Sequence, residues 1–264
     1  MDIKTYVLTR KERLKQQILA HGGQPKLVII QVNDDFASGR YIAGKLKDAA
    51  EVGILAEHIK LDVSTTEAAL LMLIAKLNDD ETVHGIIVQL PLPKTIREDH
   101  VKAAISPRKD VDGFHPLSHF KACTPLGIVN CLKAENIRMS GKNAVLIGRS
   151  NIVGKPAAML LLAENANVTI LHSKTTVSDM AFYLKHADII VVAVGIRHFL
   201  SDQVLKEDAV VIDVGINQND DGTLTGDAKP GLKVHLQTPV PGGVGLLTRL
   251  TLLENVWEAY INGI

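Results

Sequence analysis

One stretch of sequence decides the fold: Asn143-Ala144-Val145-Leu146-Ile147-Gly148-Arg149-Ser150-Asn151-Ile152-Val153-Gly154-Lys155-Pro156. An apolar run that ends in glycine and turns at once into a helix is typical of a strand and helix that hold a dinucleotide pyrophosphate. Glycine fits the turn, and the absence of a Cβ lets phosphate approach the amides at the helix N-terminus. Ser150 replaces the second glycine of the usual G-x-G-x-x-G pattern, so a purely structural turn is the alternative interpretation.

The segments around this turn favour the dinucleotide site. Apolar runs typical of buried strands alternate with segments of helical length. The predicted strands are 143–147, 167–172, 189–195 and 209–213, and the predicted helices are 153–164 and 178–186. Short buried strands that alternate with helices predict a parallel sheet. The sequence therefore predicts a Rossmann-like α/β domain.

The end of the second strand in this domain indicates the kind of dinucleotide. NAD sites place an Asp or Glu about 20 residues after the glycines, where it bonds the ribose 2′-hydroxyl. Here the chain reads Leu171-His172-Ser173-Lys174-Thr175, without a carboxylate. Hydroxyl and cationic groups, together with Arg149, suit a 2′-phosphate instead. We therefore predict an NADP site, and a solvated loop is the alternative interpretation.

The amino-terminal half shows the same alternation of strands and helices. Its predicted strands are 26–32, 55–61 and 84–90, and its predicted helices are 37–52 and 66–78. Two α/β blocks in sequence predict two domains that flank a cleft. We predict one domain from residues 1–118 plus 241–264 and a Rossmann-like NADP-binding domain from 119–240. The amphipathic segment 244–261 is expected to return to the first domain.

The composition excludes several classes of function. The chain has 264 residues, and its 29 Lys and Arg balance 29 Asp and Glu, which gives no electrostatic case for nucleic acid or an anionic membrane. No apolar run approaches the ~20 residues that span a bilayer. The histidines contain no H-E-x-x-H grouping, and we predict no metal site. Cys123 and Cys131 form no C-x-x-C pair, which fits a reducing, cytoplasmic compartment.

Polar side chains in the amino-terminal half are candidate catalytic residues. Tyr41 and Lys45 are four residues apart on a predicted helix, so they face the same way. An enclosed lysine loses its proton more readily or stabilises negative charge, although an ordinary packing pair is the alternative. Gln89 ends an apolar strand, where it either caps the strand or faces a ligand. Of the two carboxylates in the turn 109–116, one could accept two hydrogen bonds from an amidine-like edge, and both could be solvated turn formers.

A last segment, Pro239-Val240-Pro241-Gly242-Gly243-Val244-Gly245, is too rich in glycine for simple packing. It predicts a rigid loop that lets the backbone come close to a ligand. The residues alone therefore predict an NADP-linked, two-domain α/β enzyme with Lys45 as the best catalytic candidate. They do not identify its substrate.

Taken together and in this order, the motifs resemble the methylenetetrahydrofolate dehydrogenase/cyclohydrolase family. The matching segments are 41–45, 85–93, 109–116, 123–127, 148–156, 172–175, 213–217 and 238–245. The resemblance runs through nearly the whole chain. It implies NADP-dependent oxidation of 5,10-methylenetetrahydrofolate to 5,10-methenyltetrahydrofolate, followed by hydrolysis to 10-formyltetrahydrofolate in one-carbon metabolism.

The resemblance also implies roles for individual residues. Lys45 is the catalytic lysine, Gln89 orients it, Tyr41 stacks on the folate, and Asp112 holds the amino edge of the pterin. Further folate contacts are implied for Leu90, Pro239, Pro241, Gly242 and Gly243. Dinucleotide contacts are implied for Thr124, Gly148, Arg149, Ser150, Val153, His172, Ser173, Lys174, Val194, Gly195 and Ile216. A homodimer formed through the Rossmann-like domain is a further implication.

The chain departs from the usual pattern of the family at three places. The segment between Pro116 and Cys123 is shorter, Leu246-Leu247-Thr248 stands in place of Pro-Met-Thr, and 228–230 replaces an aspartate-rich stretch. These changes bear on substrate affinity and on the balance of the two activities. The alternatives are a dehydrogenase without cyclohydrolase activity, a non-catalytic protein that binds NADP and folate, and an enzyme of shikimate dehydrogenase-like architecture.

Overall fold

The computed structural model describes residues 2–201 and 203–263. Its helices are α1 (Ile3–His21), α2 (Phe36–Val52), α3 (Glu67–Asp79), α4 (Glu98–Ala104), α5 (Cys123–Ala134), α6 (Gly154–Ala163), α7 (Val177–His186) and α8 (Val244–Ile261). Its strands are β1 (Lys26–Gln31), β2 (Leu55–Lys60), β3 (Gly85–Gln89), β4 (Asn143–Ile147), β5 (Asn167–Leu171), β6 (Ile189–Val192), β7 (Val210–Asp213), β8 (Asn217–Gln218), β9 (Leu224–Thr225) and β10 (Leu236–Gln237).

These elements form two compact units. The three-stranded unit consists of Leu8–Cys123 and residues 249–263, and the five-stranded unit consists of residues 2–7 and Thr124–Thr248. The domain ends predicted at residues 118 and 240 lie a few residues before the corresponding limits of these units. The sequence did not predict the grouping of residues 2–7 with the five-stranded unit. No helix in the described ranges is both long enough and apolar enough to cross a membrane.

The three-stranded unit is built on a parallel sheet in the order β2-β1-β3. Val28 and Ile30 face one side of the sheet and pack on α3 and α4. Leu27 and Ile29 face the other side and pack on α1, α2 and α8. Because both faces are covered, the central strand is apolar between its first residue, Lys26, and its last, Gln31. Gln31 at the end of β1 lies beside Gln89 at the end of β3.

Helix α2 follows the carboxyl end of β1 and carries Tyr41 and Lys45. Its N-cap is Asp35, whose carboxylate accepts hydrogen bonds from the backbone N of Ser38 at 2.7 Å and from its hydroxyl at 2.8 Å. The helix ends at Gly53, which has a φ of +92° and the left-handed conformation that glycine favours. The predicted helix 37–52 is therefore confirmed, one residue longer at its start.

The five-stranded unit has a parallel sheet in the order β10-β7-β6-β4-β5. Helices α5 and α6 pack on one face of this sheet, and α7 packs on the other. The predicted Rossmann-like arrangement is confirmed. Strand β6 ends at Val192 rather than at the predicted Gly195, because the backbone amides of Val194 and Gly195 leave the sheet and bond to the Asp227 carboxylate.

Candidate active site

Lys45 is a buried lysine at the carboxyl edge of the three-stranded sheet. It is only 4% exposed, and its Nζ donates a hydrogen bond to Gln89 Oε1 at 3.1 Å. The same Nζ lies 5.1 Å from the centre of the Tyr41 ring, which is within the range of a cation–π interaction. The structure thus brings together Tyr41, Lys45 and Gln89, which the sequence analysis named as catalytic candidates.

The surroundings of Lys45 change its proton affinity. Burial lowers the pKa of the Lys45 ammonium below its ordinary value, because the charged form loses its hydration. The negative charge of Asp112 raises this pKa and so opposes part of that effect. Lys45 can therefore exchange a proton more readily near neutral pH than an exposed lysine can.

The amide of Gln89 is held in one orientation. Its Nε2 donates to the carbonyl oxygen of Leu90 at 2.9 Å, which turns Oε1 towards Lys45. The Ser38 hydroxyl, which donates to Asp35, lies 3.2 Å from the same carbonyl oxygen, so the start of α2 is close to the segment after β3. Gln89 therefore accepts the hydrogen bond from Lys45 Nζ in a fixed orientation.

A second polar network, which the sequence analysis missed, supports this edge of the sheet. Asn33 Nδ2 donates to the Pro91 carbonyl at 2.7 Å, and Gln31 Nε2 donates to the Asn33 carbonyl at 3.0 Å. His58 Nε2 lies 3.0 Å from Gln31 Oε1. The sequence contained a sign of this network, because the polar residues Gln31 and Asn33 stand at the end of an apolar strand. Ligands of parallel sheets bind at this edge.

Asp112 belongs to a turn whose backbone is fixed by buried groups. The Asn255 side-chain amide on α8 donates to the Val111 carbonyl at 2.8 Å, and the Cys123 thiol donates to the same carbonyl at 3.2 Å. The Cys123 backbone N donates to the Asp112 carbonyl at 3.3 Å. Burial and the Asp112 carboxylate raise the pKa of Cys123 well above its ordinary value, so this thiol stays protonated. Cys123 was not among the predicted site residues.

The second carboxylate of the turn, Asp110, is buried beside the candidate site. It accepts a hydrogen bond from the His115 backbone N at 2.7 Å, and burial raises its pKa. The expectation of no metal site took the sequence to contain no H-x₃-H grouping, and this was wrong, because His115 and His119 have that spacing. The described residues nevertheless include no group of three His, Cys, Asp or Glu side chains that could hold a metal ion.

A cavity joins several of these residues. It is lined by the β3 residues Ile86, Ile87 and Val88, and by Leu90, Leu92, Glu98, Val101, Lys102, Ile105, Asp110, Asp112 and Phe114. Two predicted substrate contacts, Leu90 and Asp112, therefore share one cavity. Its walls combine apolar side chains with three carboxylates and the ammonium of Lys102.

In the five-stranded unit, the turn after β4 depends on two glycines. Gly148 has a φ of +120°, and a Cβ on it would lie 2.3 Å from the Ala193 carbonyl oxygen. A Cβ on Gly154 would lie 2.3 Å from the Gly148 carbonyl oxygen, so the first turn of α6 packs directly on the turn. Gly154 is a site residue that the sequence analysis quoted but did not assign. This close packing fits the role of the last glycine in a dinucleotide turn.

Ser150 caps the helix that follows this turn. Its Oγ accepts hydrogen bonds from the backbone N of Val153 at 3.1 Å and of Gly154 at 3.3 Å. A serine at this position therefore satisfies helix amides that a glycine would leave without an acceptor. Arg149 and Ser150 are both exposed beside the start of the helix, where an anionic group is favoured.

Strands β4 and β5 place the predicted 2′-phosphate residues at neighbouring positions. Their register pairs Ile147 with Leu171, so Arg149 and Ser173 each follow a paired residue by two positions. The loop after β5 is ordered locally, since the His172 backbone N donates to Thr175 Oγ1 at 2.9 Å. The backbone N of Lys174 donates to His172 Nδ1 at 3.2 Å. Ser173 and Lys174 are exposed to solvent.

Asp227 organises the loop after β6, although no sequence pattern pointed to it. It is fully buried, and its Oδ2 accepts hydrogen bonds from the backbone N of Val194 at 2.7 Å and of Gly195 at 2.8 Å. Its Oδ1 accepts a hydrogen bond from Asn217 Nδ2 at 2.9 Å, next to Ile216. The carboxylate of Asp227 thus fixes the backbone around three predicted dinucleotide contacts.

A second buried carboxylate, Asp213, supports Asp227. Asp213 Oδ1 accepts from the Asp227 backbone N at 2.9 Å and from the Gly215 backbone N at 3.0 Å. Burial raises the pKa of Asp213 above its ordinary value, and the nearby Asp227 raises it further. A Cβ on Gly226 would lie 1.8 Å from Asp213 Oδ2, so glycine is required at this approach.

The remaining predicted residues also lie in the five-stranded unit. Thr124 Oγ1 lies 2.8 Å from Thr248 Oγ1. The loop Pro239–Gly243 is a tight turn, in which Gly242 has a φ of +100° and a Cβ on Gly243 would lie 2.2 Å from the Pro239 carbonyl oxygen. Gly195 has a φ of +68°, and a Cβ on it would meet no atom within 4 Å, which leaves open space beside the loop after β6. The glycine turn, the capped helix and this open loop are a donor set that fits a dinucleotide.

Together these features define an α/β enzyme with a nucleotide-binding domain, and comparisons with known proteins specify the family. The family models described as tetrahydrofolate dehydrogenase/cyclohydrolase, catalytic domain and NAD(P)-binding domain, match residues 1–112 and 122–263. The bifunctional protein FolD of Latilactobacillus sakei is 49% identical over 262 residues, which cover 95% of this chain and 90% of that protein. The chain therefore belongs to the tetrahydrofolate dehydrogenase/cyclohydrolase family, whose bifunctional enzymes act in one-carbon metabolism.

Solved structures agree with this family. The crystal structure of the bifunctional enzyme FolD from Campylobacter jejuni is 41% identical with a TM-score of 0.95, covering 100% of this chain and 98% of that chain. The dehydrogenase-cyclohydrolase of Trypanosoma brucei, solved with NADP cofactor and an inhibitor, is 30% identical with a TM-score of 0.93, covering 99% and 97%. The family resemblance found in the sequence is thus confirmed.

Substitution of the buried Asp227 tests whether the loop after β6 contributes to dinucleotide binding. Asp227→Ala removes the acceptor of three N–H donors that hold the loop after β6, and we expect the Kd for the dinucleotide to rise about ten-fold or more. Isothermal titration calorimetry measures this change. Asp221→Ala is the control, because Asp221 bonds only to Thr223 in an exposed turn. An unchanged Kd in a variant with a native circular dichroism spectrum would contradict the role assigned to Asp227.

Proposed function

We propose that this enzyme uses NADP to oxidise 5,10-methylenetetrahydrofolate and then hydrolyses the 5,10-methenyl product to 10-formyltetrahydrofolate. The observation that carries the proposal is the buried Lys45 ammonium, 3.1 Å from Gln89 Oε1 and under the charge of Asp112. Membership of the family supports both activities. The NADP preference and the roles of individual residues are the part that we add.

The folate is proposed to bind along α2 and the edge of the three-stranded sheet. Tyr41 presents an aromatic ring that stacks on the folate, beside Lys45. The Asp112 carboxylate accepts two N–H bonds from the amino edge of the pterin, and Leu90 supplies a further folate contact. The loop Pro239–Gly243 supplies further folate contacts by backbone approach, as the resemblance to the family implies.

In the oxidation step, the main task of the protein is to align the folate with the dinucleotide. Bound NADP supplies the acceptor for the hydride that leaves the methylene bridge. The flanking nitrogens of the folate stabilise the resulting cation, so the protein needs to align the substrate more than to supply a base. We assign the positioning of NADP to three groups of residues. They are the glycine turn with Arg149, Ser150 and Val153, the loop 172–174, and the residues Thr124, Val194, Gly195 and Ile216.

Proton transfer carries the hydrolysis step, and we assign it to Lys45. Water attacks the methenyl carbon and must lose a proton, while a folate nitrogen must gain one. The lowered pKa of Lys45 gives it an accessible neutral form that can accept the proton from water. Gln89 holds the amine in place and influences its charge through the hydrogen bond at 3.1 Å.

An absorbance assay tests this proposal directly. Purified protein is mixed with 5,10-methylenetetrahydrofolate and NADP, and the bands of reduced NADP and of the methenyl species are followed together. Reduction of NADP without build-up of the methenyl band is the expected result. Build-up of the methenyl band in the wild type would mean a dehydrogenase without the hydrolytic step. No reduction with NADP or NAD would contradict the proposed function and leave a binding protein.

Lys45→Met separates the two activities in the same assay. We expect hydrolysis to fall about 100-fold or more, because general acid–base catalysis by one group contributes on that order. The dehydrogenase activity should fall much less, so the methenyl band should build up. Lys47→Met is the control, since Lys47 lies on the same helix and is exposed. Equal loss of both activities would assign Lys45 to substrate positioning instead.

The preference for NADP is proposed to rest on Arg149 and Ser173, which follow neighbouring strands in register. Arg149→Ala removes a planar cation suited to a 2′-phosphate, so the KM for NADP should rise about ten-fold while the KM for NAD changes little. Steady-state kinetics with both nucleotides measure the ratio. Arg138→Ala, an exposed arginine of the same unit, should leave it unchanged. An unchanged ratio in Arg149→Ala would remove Arg149 from the phosphate site.

A homodimer through the five-stranded unit is also proposed. Strand β5 is an edge strand, and exposed apolar side chains lie on it and on both neighbouring helices, at Met159, Leu162, Ile170 and Phe182. Surfaces of this kind mark sites of association. Sedimentation equilibrium should give a particle of two chains, and Leu162→Lys should shift it towards one chain. Met72→Lys, an exposed residue of α3, is the matched control, and a monomeric wild type would contradict the proposal.

The compartment is proposed to be reducing and cytoplasmic. Cys123 and Cys131 are both free thiols in the structure, and both are buried. Burial raises the pKa of Cys131 to about 11, which keeps it unreactive. Two inert thiols support a chain that folds without disulfide bonds.

A further inference from the structure

Asn33 follows strand β1 and is buried at the carboxyl edge of the three-stranded sheet. Its Nδ2 donates a hydrogen bond to the Pro91 carbonyl oxygen at 2.7 Å, and its Oδ1 accepts one from the backbone N of Asp35 at 3.0 Å. Asp35 is the N-cap of α2, and Pro91 stands two residues after the end of β3. The Asn33 amide therefore joins the start of the helix that carries Lys45 to the segment that follows Gln89.

The orientation of the Asn33 amide is determined by its neighbours. Gln31 Nε2 donates to Asn33 Oδ1 at 3.2 Å and to the Asn33 carbonyl oxygen at 3.0 Å. Because the N–H groups of Gln31 are used here, its Oε1 is the acceptor for His58 Nε2 at 3.0 Å. A reversed Asn33 amide would set its oxygen 2.7 Å from the Pro91 carbonyl oxygen and its N–H groups against the N–H of Asp35. The amide is thus held in one orientation from both sides.

The segment that Asn33 holds also determines the orientation of the Gln89 amide. Gln89 Nε2 donates to the carbonyl oxygen of Leu90, and Leu90 is the residue before Pro91. The Leu90 carbonyl and the Pro91 nitrogen belong to one planar peptide group, so a shift of Pro91 moves the oxygen that Gln89 bonds to. A Gln89 amide without this acceptor is free to rotate and to direct its N–H groups, instead of Oε1, at the Lys45 ammonium.

We propose that Asn33 is a positioning residue for the hydrolysis step. It holds the segment after β3 in place, and so keeps Gln89 Oε1 within hydrogen-bond distance of Lys45 Nζ, at 3.1 Å. Asn33 acts through Gln89 and needs no contact of its own with the folate. This inference rests on the proposed function, because it takes Lys45 to be the group that accepts the proton of the attacking water.

Loss of this support should change the proton affinity of Lys45. The hydrogen bond to Gln89 Oε1 favours the ammonium form, so its loss should lower the pKa of Lys45 further than burial alone does. Hydrolysis needs the neutral amine, so its rate should begin to rise at a lower pH. A substitution of Asn33 leaves the titratable groups around the two residues in place. These groups are Tyr41, Asp112 and Cys123 around Lys45, and Asp35 and His58 around Asn33.

The test measures both reactions in Asn33→Leu, which has a similar shape and lacks the amide. Loss of the 5,10-methenyltetrahydrofolate band above the uncatalysed rate gives hydrolysis, and reduction of NADP gives the dehydrogenase activity. We expect the kcat of hydrolysis to fall about five- to ten-fold, with the KM for the methenyl substrate and the dehydrogenase kcat changed by less than about two-fold. The acidic limb of the pH profile of hydrolysis should move down by about half a pH unit or more.

Asn78→Leu is the matched control in the same unit. Asn78 makes the same pair of bonds, because its Nδ2 donates to the Ala104 carbonyl at 2.8 Å and its Oδ1 accepts from the Ser106 backbone N at 2.9 Å. It joins α3 to the end of α4, so its loss should leave the ratio of the two activities and the pH profile unchanged. Gln89→Leu removes the hydrogen bond to Lys45 directly, and it should move the acidic limb in the same direction as Asn33→Leu.

The outcomes separate this inference from the proposed function. Equal loss of both activities in Asn33→Leu, with an unmoved pH profile, would make Asn33 a support of the fold alone and overturn the inference. Unchanged activities, or a limb that moves to higher pH, would overturn it as well. If Asn33→Leu does not fold, Asn33→Ala is measured in its place, and failure of both to fold would likewise assign Asn33 to the fold alone. Absence of hydrolysis in the wild type would instead contradict the proposed function.

Discussion

The burial of the Lys45 ammonium is the constraint on which the three-stranded unit depends. A lone cation in the interior of a protein is strongly unfavourable, so the groups that face it must compensate for its lost hydration. Gln89 offers an acceptor at 3.1 Å, Tyr41 offers the face of its ring, and Asp112 offers negative charge. Gln89 and Tyr41 are neutral, so only Asp112 strongly favours the charged form of Lys45. The ammonium can therefore still lose its proton. The result is an amine that is held in place and yet remains able to change its protonation state.

The five-stranded unit also buries charged groups, in this case two carboxylates. Asp213 and Asp227 are almost wholly removed from solvent, and N–H groups of the backbone and of the Asn217 amide, rather than cations, satisfy them. This arrangement works only where the chain can approach very closely, and Gly215 and Gly226 allow it. The carboxylates thereby fix the loops after β6 and β7 without placing a positive charge beside them. A site for a phosphate-bearing ligand can then take its positive charge from exposed residues such as Arg149.

The parts of the fold and of the candidate site that could be predicted are those encoded by patterns within a short stretch of sequence. Strand β4 and helix α8 were predicted with the bounds that the structure shows, because apolar periodicity and flanking glycines are local patterns. The grouping of Tyr41, Lys45 and Gln89 needed one additional rule, namely that parallel strands bring their carboxyl ends to one edge. Asp227 was missed because the amides that it binds lie more than 30 residues earlier in the chain. The ion pair between Arg249 Nε and Asp48 Oδ2, at 3.0 Å, was missed because Asp48 is on a helix that no local pattern connects with α8.

The proposed reaction gives the electrostatics of Lys45 a further consequence. The methenyl product of the oxidation step carries a positive charge delocalised over the N–C–N bridge, whereas the methylene substrate does not. A positive charge near Lys45 disfavours its ammonium form and so lowers its pKa beyond the effect of burial. The first step would then prepare the base that the second step needs, since a neutral amine can accept a proton from the attacking water. Asp112 limits this effect by favouring the charged lysine, so the balance between the two activities follows from how strongly the cation of the product outweighs the carboxylate.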